Sequence, residues 1–174
     1  MSRVIGISDE IAAKLKSING SAVTDKYTYK TKTGLVNVID EVIADQLDQF
    51  NNTTDNINYL VNQSDNIYNV DWGYTNGLIT NSVEYTIVAQ VKNKNTTNLE
   101  FTSESIKARC SDILDDVQYV FINDFTLDAL VNYIKFDSGF IQHLTTSDGF
   151  RAANYIMKFT VRYSQSISNP SVAR

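Results

Sequence analysis

The chain has 174 residues, of which 43% are hydrophobic and 20% are charged. This length fits one domain with its own core, and the composition excludes a membrane protein and argues against global disorder. The formal net charge of −5 disfavours general binding to nucleic acid, which depends on neutralising phosphates with Lys and Arg.

Charged residues are distributed unevenly along the chain. Between Lys32 and Lys92 there is no basic residue, whereas eight acidic residues lie in that span. After Asp148 the sign reverses, because the four charged residues that follow are all basic. Two interpretations of this layout are open. The charges are solvated surface charges, or the protein has an acidic region and a basic region that suit stacking against copies of the chain or against a partner.

The chain has one cysteine, Cys110, so it cannot form an intramolecular disulfide. Its first residues lack the apolar run of a signal peptide. Both features predict a protein that is made and kept in a reducing compartment.

Residues 1–34 are predicted to form an N-terminal extension. Ser8 can cap a short helix, which we expect to dock on an edge of the domain. The apolar residues of this helix at helical spacing are Ile11, Leu15 and Ile18. Residues 26–31 alternate with period two, which predicts a short strand or one arm of a hairpin.

Residues 35–163 are predicted to form a single domain that begins with an amphipathic helix at residues 35–50. Apolar residues follow helical spacing along this segment, and four acidic residues lie on its other side. The apolar stripe consists of Leu35, Ile39, Val42, Ile43, Leu47 and Phe50, and the acidic face of Asp40, Glu41, Asp45 and Asp48.

Residues 51–82 are predicted to form a polar insertion, because Asn, Asp, Thr and Gly are abundant there. The pair Asn76-Gly77 favours the tight turn of a hairpin at residues 74–78. The segment also carries four aromatic residues, which either bind a partner or fold back as a small core. These aromatic residues are Tyr59, Tyr68, Trp72 and Tyr74.

A strand and a helix follow the insertion. Residues 83–91 alternate between apolar and polar side chains, which indicates a strand with one buried face. Residues 103–123 carry one apolar stripe that includes Cys110, and this predicts a second amphipathic helix. Asp115 and Asp116 are assigned to its solvated face, because adjacent helical side chains point about 100° apart and do not converge on one substrate atom.

The last third of the domain is predicted to contain three strands, at residues 130–136, 139–144 and 150–163. Turn residues separate them at Asp137-Ser138-Gly139 and at Ser147-Asp148-Gly149. In the last strand, apolar side chains recur at every second position and point one way. Residues 164–174 lack periodicity and predict a C-terminal arm that is mobile unless a neighbouring molecule holds it.

No pattern of catalytic, cofactor-binding or metal-binding residues stands out. Cys110 and His143 lie on different elements, a helical stripe and a strand, which disfavours a Cys–His nucleophile. Oxygen ligands around Asp65, Asn69 and Asp71 could hold calcium, but the spacing of an EF-hand loop is absent. The scattered glycines include no phosphate-binding loop. We therefore expect a protein that is not an enzyme and that holds no cofactor.

The order helix, strand, helix and three closing strands over residues 35–163 resembles the tail terminator and related neck or tail-completion proteins of tailed double-stranded DNA bacteriophages. The likeness is greatest in the turn Asp148-Gly149-Phe150-Arg151 and in the last strand. The resemblance implies a small α+β domain that assembles into a ring, commonly a hexamer, which caps the tail tube. Residues 1–34 and 51–82 depart from that pattern.

The predicted fold is therefore α+β, with a mostly antiparallel sheet of about four to five strands packed against two amphipathic helices. The resemblance implies a non-enzymatic virion protein, made in the host cytoplasm, at the head–tail connection. Its implied partners are copies of itself and other tail, neck or portal proteins, with no membrane. No sequence-specific nucleic acid is expected, and DNA would at most pass through the ring.

An edge strand or residues 164–174 would pair one copy with the next. The residues predicted to form protein interfaces are Tyr59, Tyr68, Trp72, Tyr74, Lys158, Arg162, Ile167 and Pro170. Two alternatives remain at this point. The chain is another tail or baseplate adaptor, or it is a small cytosolic module that binds proteins through residues 51–82.

Overall fold

The computed structural model describes residues 3–24, 26–39, 56–73, 77–92, 103–145 and 151–166. These residues form two helices and seven strands. In chain order they are helix α1 (Arg3–Lys16), strands β1 (Val23–Thr24), β2 (Tyr27–Thr28), β3 (Thr33–Ile39), β4 (Ile57–Gly73) and β5 (Leu78–Lys92), helix α2 (Ser103–Asn123), and strands β6 (Tyr133–Thr145) and β7 (Arg151–Ser166). Neither described helix is long and apolar enough to cross a membrane.

Five of the strands form one sheet in the order β3-β4-β5-β7-β6, and β1 and β2 form a separate two-stranded sheet. The pairings β4–β5, β5–β7 and β6–β7 are antiparallel, whereas β3 and β4 run parallel. The predicted α+β class is confirmed. The prediction of a mostly antiparallel sheet holds only in part, because of the parallel pair and the additional small sheet.

One face of the five-stranded sheet, here called the helix face, carries the main core; the other side is called the opposite face. Every second side chain of β5 and β7 is apolar, and the pleat directs these side chains to one side. Helix α1 packs over β3 and β4 and helix α2 over β5 and β6, and both bury their apolar stripes in this core. The core includes Ile7, Ile11 and Leu15 of α1, Ile106, Cys110, Ile113 and Val117 of α2, Val83, Tyr85, Ile87, Ala89 and Val91 of β5, and Ala153, Tyr155, Met157, Phe159, Val161 and Tyr163 of β7.

The N-terminal helix α1 lies over the edge strand β3 and its neighbour β4, as the predicted docking on an edge requires, and its apolar stripe also joins the main core. Ile7 and Leu15 are fully buried beneath the sheet. Burial of such large aliphatic side chains stabilises the docked helix, because their apolar area leaves water. The hairpin predicted within residues 26–31 is confirmed, since β2 pairs with β1.

The predicted helix at residues 35–50 is wrong at its start, because Leu35 to Ile39 lie in β3. The segment is rich in β-branched residues, which pack well on a pleated surface. Its partner β4 supplies the backbone hydrogen bonds of a parallel ladder, with Val36 opposite Tyr59. Residues 40–50 lie outside the described residues.

The predicted insertion at residues 51–82 is wrong in its main part. Strand β4 and the first residues of β5 fall within it, and both are interior strands of the sheet. Register shifts between Gln63 and Ile67 and between Asn69 and Asp71 keep this polar sequence paired with β5, because a bulge accommodates residues that do not fit the alternation.

The hairpin predicted at residues 74–78 is confirmed. Gly73 pairs with Leu78 in the antiparallel ladder of β4 and β5. Gly77 has a φ of 62°, a left-handed conformation that glycine adopts without a steric cost. Residues 74–76 lie outside the described residues.

In the last third, β6 is one continuous strand, so the turn predicted at Asp137-Ser138-Gly139 is wrong. A register shift between Phe136 and Ser138 marks a β-bulge instead, which places the same polar and glycine residues within a paired strand. The predicted helix at residues 103–123 and the alternation of the last strand are confirmed.

The last strand extends further than predicted. Residues 164–166, assigned to the C-terminal arm, pair with residues 78–80 of β5. Residues 167–174 and the predicted turn at residues 147–149 lie outside the described residues.

Candidate functional site

The predicted aromatic interface residues do not form one surface. Tyr59 alternates with Ile57 and Val61 along β4 and is fully buried in the core, so its prediction as an interface residue is wrong. Burial raises the pKa of its phenol; the hydroxyl forms no hydrogen bond of standard geometry with the described residues, but the nearby Thr31 and Thr33 side chains oppose part of that rise. The alternation of Ile57, Tyr59 and Val61 indicates a strand with one buried face, but the surrounding asparagines obscure this pattern in the sequence. Tyr68, by contrast, is 56% exposed.

Four of the predicted interface residues cannot be assigned to a surface. Trp72 contributes its backbone to β4, opposite Ile79, and its side chain lies outside the described part of the structure. Tyr74, Ile167 and Pro170 also lie outside the described residues.

Lys158 and Arg162 lie on the opposite face of β7, where Lys135 of the neighbouring strand β6 joins them. We call these three residues the basic row. The guanidinium of Arg162 lies 5.2 Å from the centre of the Tyr133 ring, a cation–π contact that holds this side chain against the sheet. Lys158 is exposed.

Acidic groups flank the basic row and limit its positive potential. Asp137 Oδ1 lies 2.9 Å from Lys135 Nζ, and Asp137 Oδ2 accepts a hydrogen bond from the Thr160 hydroxyl. Burial alone would raise the pKa of Asp137, but the hydrogen bonds from Thr160 and Lys135 together hold it below its usual range. Glu84 lies opposite Thr160 on β5 and is exposed.

Strands β3 and β6 form the two edges of the sheet, and no described strand pairs with their outer sides. Such edges present unpaired backbone N–H and C=O groups to another chain. Both also expose large apolar side chains. Leu35 of β3 is 65% exposed and Phe140 of β6 is 50% exposed. The sequence prediction missed both residues because it placed Leu35 on a helical stripe and gave Phe140 no role.

Asp116 is the residue whose environment departs most from its prediction. It was assigned to a solvated helix face, but it is fully buried between α2 and the hairpin segment. Its carboxylate accepts hydrogen bonds from the Tyr27 hydroxyl at 2.8 Å, the Lys30 N–H at 3.0 Å, and the Thr31 N–H and hydroxyl at 2.7 Å each. Asp116 therefore fastens the N-terminal hairpin to α2. Its sequence position on the helix carries no signal of this.

The ring of Tyr27 is held from two sides. Its hydroxyl donates to Asp116, and its ring stacks on Tyr119 with the centroids 4.0 Å apart. Burial and then the hydrogen bond to Asp116 raise the pKa of Tyr27. The neighbouring Asp115, which is half exposed, forms an ion pair with Lys30 at 2.7 Å.

A polar cavity of about 570 Å³ lies beside this hairpin, lined in part by Lys32, Arg109 and Asp112. A second polar group gathers Glu10, Asp124 and Asp128. Lys14 lies among these three carboxylates, with its Nζ 2.7 Å from Asp124, so the ammonium offsets one of their three charges.

The sequence candidates for chemistry do not converge. Burial raises the pKa of Cys110 to about 11, which is opposite to the change that activates a thiol. His143 is exposed on β6. Asp65, Asn69 and Asp71 lie along the extended strand β4 and not in a loop that could wrap an ion.

The comparisons with known proteins assign the chain to no family. A scan against protein-family models gave no match, and a search of curated proteins gave none.

Proposed function

We propose that the chain is a non-enzymatic structural protein of a phage virion, whose copies join through their sheet edges into a ring at the neck or tail end. The observation that carries this proposal is the pair of edge strands, β3 and β6, each with an exposed apolar side chain. Edge pairing satisfies the backbone groups of both strands and removes Leu35 and Phe140 from water.

The strand directions suit head-to-tail assembly. Strand β3 runs with β4, and three antiparallel pairings follow, so β6 runs opposite to β3. When β6 of one copy lies beside β3 of the next, the two form an antiparallel ladder. This contact joins two different surfaces, and such contacts generate a ring when the rotation between copies closes.

The basic row supports passive passage of DNA and not DNA binding. Lys135, Lys158 and Arg162 give the opposite face a positive strip, while Asp137 and Glu84 lie beside it. Mixed charges weaken attraction to phosphates, which matters in a conduit because a strong contact would hold the DNA back. The partners in this proposal are copies of the chain and tail, neck or portal proteins.

The edge-strand proposal is tested with a matched pair of substitutions. Phe140 on β6 is 50% exposed, and Phe125, which follows α2 and belongs to neither edge strand, is 56% exposed. Phe140→Lys should convert assembled protein to monomer in light scattering, because it puts a charge where the neighbouring copy would bury an apolar side chain beside the ladder. Phe125→Lys should leave the mass unchanged. Assembly that survives Phe140→Lys, or that both substitutions abolish equally, would contradict the proposal.

A second candidate is a small protein-binding module. The neighbours Ile67 and Tyr68 on β4 favour it, because both are large and exposed. In this case the protein stays monomeric, and Tyr68→Ala abolishes capture of the partner while circular dichroism shows an unchanged fold.

A further inference from the structure

The polar cavity beside the N-terminal hairpin has the size of a site for a small molecule. Its volume is about 570 Å³, and such sites span about 300–1,000 Å³. The described residues that line it come from four separate parts of the chain, represented by Ser21, Lys32, Asn56 and Arg109. Each of the described lining residues is polar, charged or glycine. We call this space the basic cavity.

The backbone that carries Lys32 into the basic cavity is fixed on two sides. The Thr31 N–H donates a hydrogen bond to the buried carboxylate of Asp116 at 2.7 Å. The Lys32 carbonyl accepts a hydrogen bond from the N–H of Ile57, at the start of β4, at 2.7 Å. A ligand that binds Lys32 therefore does not have to order this segment, and preorganisation of this kind favours binding.

The turn at residues 19–21 forms another wall of the basic cavity and is also fixed. Asn19 Oδ1 accepts hydrogen bonds from the N–H groups of Ser21 at 3.1 Å and Ala22 at 2.6 Å. Gly20 has a φ of 72°, and a Cβ at this position would lie 3.1 Å from the Lys32 Cβ. Both the left-handed conformation and the close approach require glycine, so this turn lies directly against Lys32.

Positive charge predominates in the basic cavity. Three cationic side chains line it, those of Lys30, Lys32 and Arg109, together with the carboxylate of Asp112. Asp112 already pairs with Lys30 at 3.2 Å. Lys32 forms no ion pair within the described part of the chain. In a chain of net charge −5, a concave site with this excess of positive charge attracts anions.

We propose that the basic cavity binds a sugar phosphate, with Lys32 and Arg109 on the phosphate and Ser21 and Asn56 on the sugar hydroxyls. Ammonium and guanidinium groups form strong, charge-assisted hydrogen bonds with phosphate oxygens. Hydroxyl and amide groups both donate and accept hydrogen bonds, as sugar hydroxyls require. The described lining contains no aromatic side chain on which a nucleobase could stack, which favours a sugar phosphate over a nucleotide.

This proposal does not depend on the assembly of a ring. None of the described residues that line the basic cavity belongs to the edge strands β3 and β6. Binding can therefore be measured on whichever oligomer the full chain forms, and its absence would leave the edge-strand proposal unchanged.

Isothermal titration calorimetry of the full chain tests the ligand class with three probes. Glucose 6-phosphate should bind with a dissociation constant below about 10 mM. Inorganic phosphate should bind at least about tenfold more weakly, because it lacks the sugar hydroxyls. Unphosphorylated glucose should give no binding heat. No binding of glucose 6-phosphate, or equal affinity for inorganic phosphate, would overturn the proposal.

A matched pair of substitutions locates the site. Lys32→Met should raise the dissociation constant for glucose 6-phosphate at least about tenfold, because it removes a charged donor to the phosphate. Lys107→Met is the control, since Lys107 is an exposed cation on α2 that does not line the basic cavity. It should change the constant less than about twofold, because solvent and salt screen its charge. Circular dichroism checks that both variants fold. An unchanged constant in Lys32→Met, or equal weakening in both variants, would overturn the proposal.

Discussion

Substitution of Asp116 is the sharpest probe of how the N-terminal hairpin is held. Asp116→Ala removes an acceptor of four hydrogen bonds, two of which come from the buried Thr31. A buried donor left without an acceptor costs about 1–3 kcal/mol, and the donors of Tyr27 and Lys30 are partly buried. We expect a loss of about 3–5 kcal/mol in the free energy of unfolding.

Asp115→Ala is the matched control, because it removes the adjacent carboxylate of the same helix. Asp115 pairs with Lys30, and both side chains are 45% exposed. Exposed ion pairs contribute about 0–1 kcal/mol, so this variant should lose less than about 1 kcal/mol. Urea denaturation followed by circular dichroism measures both changes. Equal losses in the two variants would refute the assignment of Asp116 as the fastening residue.

Three further predictions follow from buried or paired polar groups. Tyr59→Phe removes a buried hydroxyl that forms no hydrogen bond of standard geometry with the described residues, so the free energy of unfolding in urea should not fall; a loss of about 1 kcal/mol or more would show that the nearby Thr31 or Thr33 hydroxyl bonds it. Asn154→Leu removes a buried amide whose Nδ2 and Oδ1 form no hydrogen bond with the described residues, so the midpoint of thermal unfolding should rise, whereas a lower midpoint would reveal a partner. The hydrogen bond with Lys14 lowers the pKa of Asp124, so this carboxylate stabilises the fold at pH values above its ordinary pKa of 3.8 and stops doing so as the pH falls through its lower folded pKa. Lys14→Met should remove this part of the decrease in unfolding free energy at acid pH, measured by urea titrations at several pH values. An unchanged decrease at acid pH would contradict this prediction.

The sequence predicted the elements in which one periodicity dominates. In β7, apolar side chains from Ala153 to Tyr163 occupy every second position, and the structure buries them on one face. Helix α2 has a single apolar stripe at helical spacing, and the structure buries this stripe in the core. Local pattern and tertiary environment agree in both elements, so the pattern alone was sufficient.

The errors arose where the partner, and not the local pattern, decides the structure. Residues 35–39 fit a helical stripe as well as a strand, and pairing with β4 selects the strand. Strand β4 reads as polar because its asparagines obscure the alternation of Ile57, Tyr59 and Val61. Asp137-Ser138-Gly139 has turn chemistry, yet it forms a bulge because β7 continues beside it.

The candidate site was predictable only in outline. An edge strand was expected to join copies, but the edges themselves, β3 and β6, follow from the strand order. The burial of Asp116 and Tyr59 likewise depends on neighbours that are distant in sequence. Lys158 and Arg162 were placed correctly on the face away from the apolar side chains of β7, because alternation fixes their side of the strand.

The absolute mass of the purified full-length chain, measured by light scattering over a range of concentrations, tests the central claim most directly. Assembly through β3 and β6 predicts a discrete species whose mass is an integer multiple of 19.6 kDa, with ring-shaped particles in negative-stain images. A single 19.6-kDa species at every concentration would contradict the account and favour the protein-binding module.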